Sequence, residues 1–126
     1  MGTLLDTSFL IEVERNITAL PEGEEVAMAA ITASELLQGP LRGDRHTRSI
    51  RAAQVEALLS SVGVMPFDLH VARTHAVLAA DLASRGEQIG RHDLEIAATA
   101  MTLGWQLATL DRKAFARVPG LAIREL

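Results

Sequence analysis

Short apolar runs alternate with longer helix-patterned stretches along most of this chain, and that alternation limits the fold more than any other feature. Thr3-Leu4-Leu5-Asp6 reads as a short buried strand, and residues 7–15 as a helix with Thr7 or Ser8 near its start. A turn-rich connection with Pro21 and Gly23 leads to a second apolar strand over residues 26–31. A helix opens at Thr32 or Ala33 and is expected to stop near Gly39-Pro40. Residues 47–61 are helical by pattern, with Ile50, Ala53, Ala57 and Leu58 on one face. Gly63-Val64-Met65 is a third strand. A long helix over residues 69–85 carries the small residues Ala72, Ala76, Ala79 and Ala83, a stripe suited to close approach, and Gly86 ends it. Residues 92–103 form a helix that is apolar on most sides after its first turn, so it is expected to be deeply buried. Strands over residues 106–110 and 121–124 complete the pattern.

Strand alternating with helix predicts an α/β fold with a mostly parallel sheet flanked by helices. The 126 residues suit one domain spanning 1–126, with a core large enough to need no staples. There is no cysteine, which excludes disulfides, zinc fingers and thiol catalysis and fits a reducing cytoplasm. No apolar run approaches the roughly 20 residues that span a bilayer, so no membrane partner is expected. The opening residues lack the pattern of a signal peptide, and the domain is expected to start at once. The net charge of −4 counts mildly against a nucleic-acid binder. Total charge is a poor guide, however, where carboxylates are gathered to hold a metal. Lys113 is the only lysine, so the positive charge is nearly all arginine, which suits bidentate contact with phosphate.

In open α/β sheets, ligands bind outside the carboxyl ends of the strands. Four acids fall where that geometry would gather them. Asp6 ends the first strand, Glu35 lies in the first turn of the helix after the second, Asp93 begins the buried helix, and Asp111 directly follows the strand over residues 106–110. Four carboxylates packed together repel one another unless a cation sits between them. All-oxygen ligation favours magnesium or manganese. Such an ion can polarise a phosphate and activate water, the chemistry of phosphodiester hydrolysis. Each acid also has a purely structural reading. Asp6, Asp93 and Asp111 stand at helix starts, where carboxylates cap and meet the helix dipole. Thr32-Ala33-Ser34-Glu35 has the form of a capping box. The two roles are compatible, and the joint arrangement of four is what favours the chemical one.

The same positions sit in recognisable surroundings. Leu4-Leu5-Asp6-Thr7-Ser8-Phe9-Leu10-Ile11, Thr32-Ala33-Ser34-Glu35-Leu36-Leu37-Gln38-Gly39, residues 89–100 around Asp93, and Leu107-Ala108-Thr109-Leu110-Asp111 followed by Phe115 resemble, in order and spacing, the four motifs of PIN domains. The chain most resembles the VapC-type toxins of toxin–antitoxin operons, over essentially its whole length. That resemblance implies a three-layer sandwich of helices around a parallel sheet and a magnesium- or manganese-dependent endoribonuclease. It implies Asp6, Glu35, Asp93 and Asp111 as the metal-binding and catalytic set, with Asp111 at the family's most variable position. Ser8 and Thr109 match polar positions that orient a carboxylate or water. It further implies an RNA substrate, a homodimer, and a VapB-type antitoxin through which alone DNA is contacted.

Arg42, Arg45, Arg48 and Arg51 recur every third residue and make the densest basic stretch, which reads either as a solvated loop and helix start or as an RNA-backbone contact. Gly43 speaks against all four lying on one regular helix. Glu95, two residues after Asp93, points away from it on a helix and reads as solvated or structural. His70 and His75 are five apart, not at zinc-pair spacing, and read as structural, while His92 borders Asp93 on a first-turn surface position. Rival readings fit less well. A dehalogenase-type phosphatase wants an aspartate where Ser8 stands, and a receiver domain wants a late lysine that Lys113 is poorly placed to supply. A catalytically inactive PIN-type binding module is the remaining alternative.

Overall fold

The computed structural model describes residues 1–124. Four short strands, β1 (Thr3–Leu5), β2 (Val26–Ala29), β3 (Gly63–Met65) and β4 (Gln106–Ala108), form one parallel sheet in the order β3-β2-β1-β4. The helices are α1 (Thr7–Glu14), α2 (Ala30–Arg42), α3 (Arg45–Ser61), α4 (Leu69–Ser84), α5 (Arg91–Leu103) and α6 (Arg112–Phe115). The expected mostly parallel sheet flanked by helices is therefore what forms.

Side chains alternate across a strand, and each strand feeds two cores. Leu4, Ala27, Ala29 and Leu107 face one way and pack with Val71 and Leu78 of α4, Ile96 to Ala100 of α5, and Phe115 of α6. Leu5, Met28 and Ala108 face the other way and pack with Phe9 and Leu10 of α1, Leu36 of α2, and Val55 and Leu58 of α3. The result is three layers with the sheet in the middle. Helix α5 is buried from Ile96 through Ala100, as its all-round apolar pattern predicts.

The fully buried small residues lie on α5 (Ala97, Ala98, Ala100), while of the α4 stripe Ala72 and Ala79 are half-buried. On α4, Ala76 and Ala83 are exposed and Val71, Leu78 and Leu82 make the buried face. Gly86 (φ +65°) and Gly104 (φ +69°) close α4 and α5 in the left-handed conformation that costs glycine least.

Several expected boundaries move. The predicted stop at Gly39-Pro40 does not occur, and α2 runs to Arg42 with a buried Pro40 inside it. Proline removes only its own N–H bond there, and Arg51 Nη1 and Arg48 Nη2 donate to the carbonyls of Gly39 and Leu41 at 3.5 and 3.2 Å. The face of α3 assigned to Ile50, Ala53, Ala57 and Leu58 is only partly right. Val55 and Leu58 are buried, while Ile50, Ala53 and Ala57 are exposed, because alanine fits either stripe and so mis-set the phase. The first, second and fourth strands are shorter than expected, since Asp6 is the cap of α1 rather than a strand residue, α2 begins earlier, and the turn before α6 follows Ala108. The strand expected over residues 121–124 reduces to a single parallel bridge between Ile123 and Leu107. Among the described residues no helix is long and apolar enough to cross a membrane.

Candidate active site

Strands β2 and β4 lie on opposite sides of β1, so the crevice beyond the carboxyl ends of β1 and β4 is the topological switch point of the sheet. Asp6 follows β1 at that crevice and is almost fully buried, at 4% exposure. Its Oδ1 accepts from the Thr7 backbone N–H at 2.8 Å, which caps α1. Its Oδ2 accepts from the Ser8 hydroxyl at 2.9 Å and the Thr109 hydroxyl at 2.7 Å. Capping and placement thus coexist in one carboxylate. Ser8 and Thr109 are also tied to the far loop, because Ser8 Oγ accepts from Leu110 N–H and Thr109 Oγ1 accepts from Asp111 N–H.

Glu35 is not in the first turn of its helix. Helix α2 begins at Ala30, two residues before Thr32, with no side-chain cap. The capping box therefore does not form, since Glu35 sits beyond reach of the first-turn N–H groups. Its carboxylate instead crosses to α1 and α5. Oε1 accepts from the Thr7 hydroxyl at 2.8 Å, and Oε2 lies 3.3 Å from His92 Nδ1. Thr7 was read only as a helix start, and its hold on Glu35 comes from a contact between two elements that no local pattern announces.

Asp93 is the third residue of α5 and half-buried. Burial holds its carboxyl above the usual range, and the negative charges of Asp6, Asp111 and Glu35, in that order, push it further up, with His92 offsetting them. The other three predicted acids therefore stand within electrostatic reach of Asp93. Gly90 leaves room for this carboxylate, as a Cβ there would come within 3.2 Å of Asp93 Oδ2. Asp111 is exposed and caps α6, with Oδ1 accepting from Ala114 N–H at 3.2 Å. It does not follow β4 directly, for that strand ends at Ala108 and Thr109 and Leu110 intervene.

Among the described residues, no three His, Asp or Glu side chains converge tightly enough to hold a metal ion by themselves. The donor chemistry nevertheless fits a hard divalent cation. The donors are all carboxylates, three of them raise the proton affinity of the fourth, Asp93, and magnesium is usually bound by one or two carboxylates with waters and substrate phosphate completing its shell.

The four arginines divide. Arg48 and Arg51 turn back onto the end of α2 as described, and Arg51 also lies 3.8 Å from Glu14. A Cβ at Gly43 would come within 2.8 Å of the Arg51 guanidinium, so that glycine makes room for it. Arg42 and Arg45 are exposed. Glu95 is half-buried at the edge of a groove and is not simply solvated. His75 packs edge-on against Phe67, a structural role.

Comparison with known proteins identifies the family and the fold. The PIN domain family profile matches residues 3–121. A protein described as ribonuclease VapC1 of Rickettsia felis is 35% identical over 127 residues, covering 98% of this chain and 95% of that protein. The structure of VapBC-1 from nontypeable Haemophilus influenzae superposes with a TM-score of 0.81 at 30% identity, covering 99% of this chain and 98% of that one. The DNA-bound VapBC of Salmonella typhimurium superposes with a TM-score of 0.87 at 26% identity, covering 98% and 97%.

Proposed function

This chain belongs to the PIN domain family, among the VapC ribonucleases, and on that premise we propose that it is a magnesium- or manganese-dependent endoribonuclease serving as the toxin of a toxin–antitoxin pair. One observation carries the proposal. Asp6, Glu35 and Asp111 come from three separate segments, yet all three come close enough to Asp93 at the switch-point crevice for their charges to add to the effect of burial in raising its carboxyl. A purely structural set of acids has no reason to converge on Asp93 and repel it.

Asp6 and Asp93 are the residues that would hold the ion, with Glu35 and Asp111 on either side. When bound, the ion supplies charge stabilisation at the phosphate and an acidified water. The chain's own part is orientation. Ser8 and Thr109 fix one oxygen of Asp6, and Thr7 fixes one oxygen of Glu35. Glu35 is the half-exposed acid whose second oxygen faces His92 at the rim, which suits it to accept a proton from water. The relatives resolved as VapBC complexes support a VapB-type antitoxin as the neutralising partner, with DNA contacted through it; the working form in this reading is a homodimer.

The test is cleavage of a defined RNA pool by the antitoxin-free protein with magnesium, with manganese and with EDTA, beside the Asp93→Asn variant. Metal-dependent cutting lost in the variant is the expected result. A folded, metal-loaded protein that cuts no RNA in the pool, or a variant that cuts as well as the parent, defeats the reading and leaves the inactive binding module in its place.

A further inference from the structure

Beyond the acids, the same edge of the sheet carries a second concavity. It measures about 260 Å³, below the ~300–1,000 Å³ of pockets for drug-sized ligands and so suited to one small group. Ala29, Ala30 and Ile31, at the end of β2 and the start of α2, form an apolar floor. Phe67, two residues beyond β3, stands at the wall and is 42% exposed. The His75 ring meets it edge-on, with centroids 5.4 Å apart, and steadies its orientation. Glu95 of α5 and Ser34 of α2 supply the polar groups.

Glu95 is the unusual member. It is half-buried, and among the described residues its carboxylate makes no hydrogen bond or ion pair. Its acceptor capacity is therefore open to a ligand entering the groove. Ser34 Oγ accepts from Gln38 Nε2 at 3.3 Å, so its own proton is free to be donated into the cavity. Thr99 is not available in the same way, because its hydroxyl donates to the Glu95 carbonyl at 2.8 Å. The cavity thus presents a two-oxygen acceptor, one donor and an aromatic face.

We propose that this cavity is a nucleobase seat selective for guanine, an inference that rests on the ribonuclease reading and names the base that reading leaves open. Single-stranded RNA is read by stacking its bases on aromatic side chains and bonding their Watson–Crick edges. Guanine alone offers two adjacent N–H donors, N1–H and N2–H, with the O6 acceptor beside them. Glu95 takes both donors and Ser34 donates to O6, while Phe67 covers a face of the ring. Adenine and cytosine offer a single amino group next to a ring nitrogen whose lone pair repels a carboxylate. Uracil offers one N–H between two carbonyls. Ser34 adjoins Glu35 on α2 and Glu95 lies two residues from Asp93 on α5, so the two sites share helices but face different sides of them, and the base seated here belongs to a nucleotide flanking the cut rather than to the cut phosphate itself.

The experiment is digestion of a pool of short single-stranded RNAs, randomised at every position, with the cut ends sequenced. The parent protein should enrich guanine at one fixed position relative to the cut. Glu95→Gln should lower cutting at guanine relative to the other bases by about ten- to a hundred-fold, the discrimination of one bidentate base contact. Ser34→Ala should act in the same direction, and Phe67→Ala should weaken cutting whichever base is present. Cutting without a fixed guanine, or an unaltered preference in a folded Glu95→Gln protein, overturns the proposal. Were the protein to cut no RNA, the ribonuclease reading would fall and binding of guanosine monophosphate, read by NMR, would decide the seat. Shifts at the Ser34, Phe67 and Glu95 amides that are absent with adenosine monophosphate and lost in Glu95→Gln sustain it, and their absence in the parent overturns it.

Discussion

The Thr109 hydroxyl donates to Asp6 Oδ2 at 2.7 Å, joining residues 103 apart in the chain across the β1–β4 crevice. Both are buried, Thr109 completely. The bond is charge-assisted and shielded from water, so it both orients the carboxylate and stabilises the fold. Thr109→Val keeps the shape and deletes the donor. It should cost about 1.5–3 kcal/mol in urea denaturation, the usual worth of a hydrogen bond to a charged group. It should also lower cleavage further than lost stability explains, while Thr109→Ser restores both. A valine variant as stable and active as the parent would show that Ser8 alone suffices to hold Asp6.

Asp93 sets a second expectation through pH. Its carboxyl titrates above its ordinary value of 3.8, so the folded protein binds that proton more tightly than the unfolded chain does. The metal-free protein should therefore gain stability from this group as pH falls from neutral through the raised value, with no further gain below 3.8. Asp93→Asn should remove that dependence and be more stable than the parent at neutral pH without metal, while losing cleavage. Added magnesium should raise the melting temperature of the parent and not of the variant. Melting curves between pH 4 and pH 8, with and without metal, check this; a less stable asparagine variant at neutral pH contradicts it.

Much of this site is legible in the sequence because its acids sit at element boundaries, and boundaries are marked by local patterns. Asp6 after an apolar run and Asp93 before one are both readable that way. Even Ser8 and Thr109 flank acids closely enough to be suspected. What the pattern does not carry is contact between elements. Thr7 reaching Glu35, and Arg51 reaching Gly39, depend on how α1, α2 and α3 pack. The phase of α3 fails for a related reason, since Ala53 and Ala57 are equally at home exposed or buried and only Val55 discriminates. The end of α2 is misread because the partners of its last carbonyls lie in the next helix.

The arginines lead to a prediction that separates packing from binding. Arg48 and Arg51 hold the end of α2, whereas Arg42 and Arg45 are exposed. Replacing Arg42 and Arg45 together by alanine should leave the denaturation midpoint unchanged. If both touch RNA phosphate, the slope of log affinity against log salt should flatten by about 1.4, two contacts on a single strand. Arg51→Ala should instead destabilise the protein, exposing the orphaned carbonyls of α2. An unchanged salt slope in the double variant would remove this stretch from the RNA path.

Asp111 is where capping and chemistry compete most evenly, and two substitutions separate them. The residue is exposed, caps the four-residue α6 through Ala114 N–H, and contributes to raising Asp93. Asparagine is as good a cap as aspartate, but it carries no charge. Asp111→Asn should therefore keep stability while weakening metal affinity and cleavage. Asp111→Ala should cost about 1 kcal/mol in addition, the usual worth of a lost cap. The charge change also reaches Asp93, because removing one of its repelling neighbours lowers its proton affinity. The pH range over which the metal-free protein gains stability should then shift downward in Asp111→Asn. Manganese titration, cleavage rate and the pH–stability profile of both variants provide the check. If asparagine leaves all three as in the parent, Asp111 is a cap alone and the working set reduces to Asp6, Glu35 and Asp93.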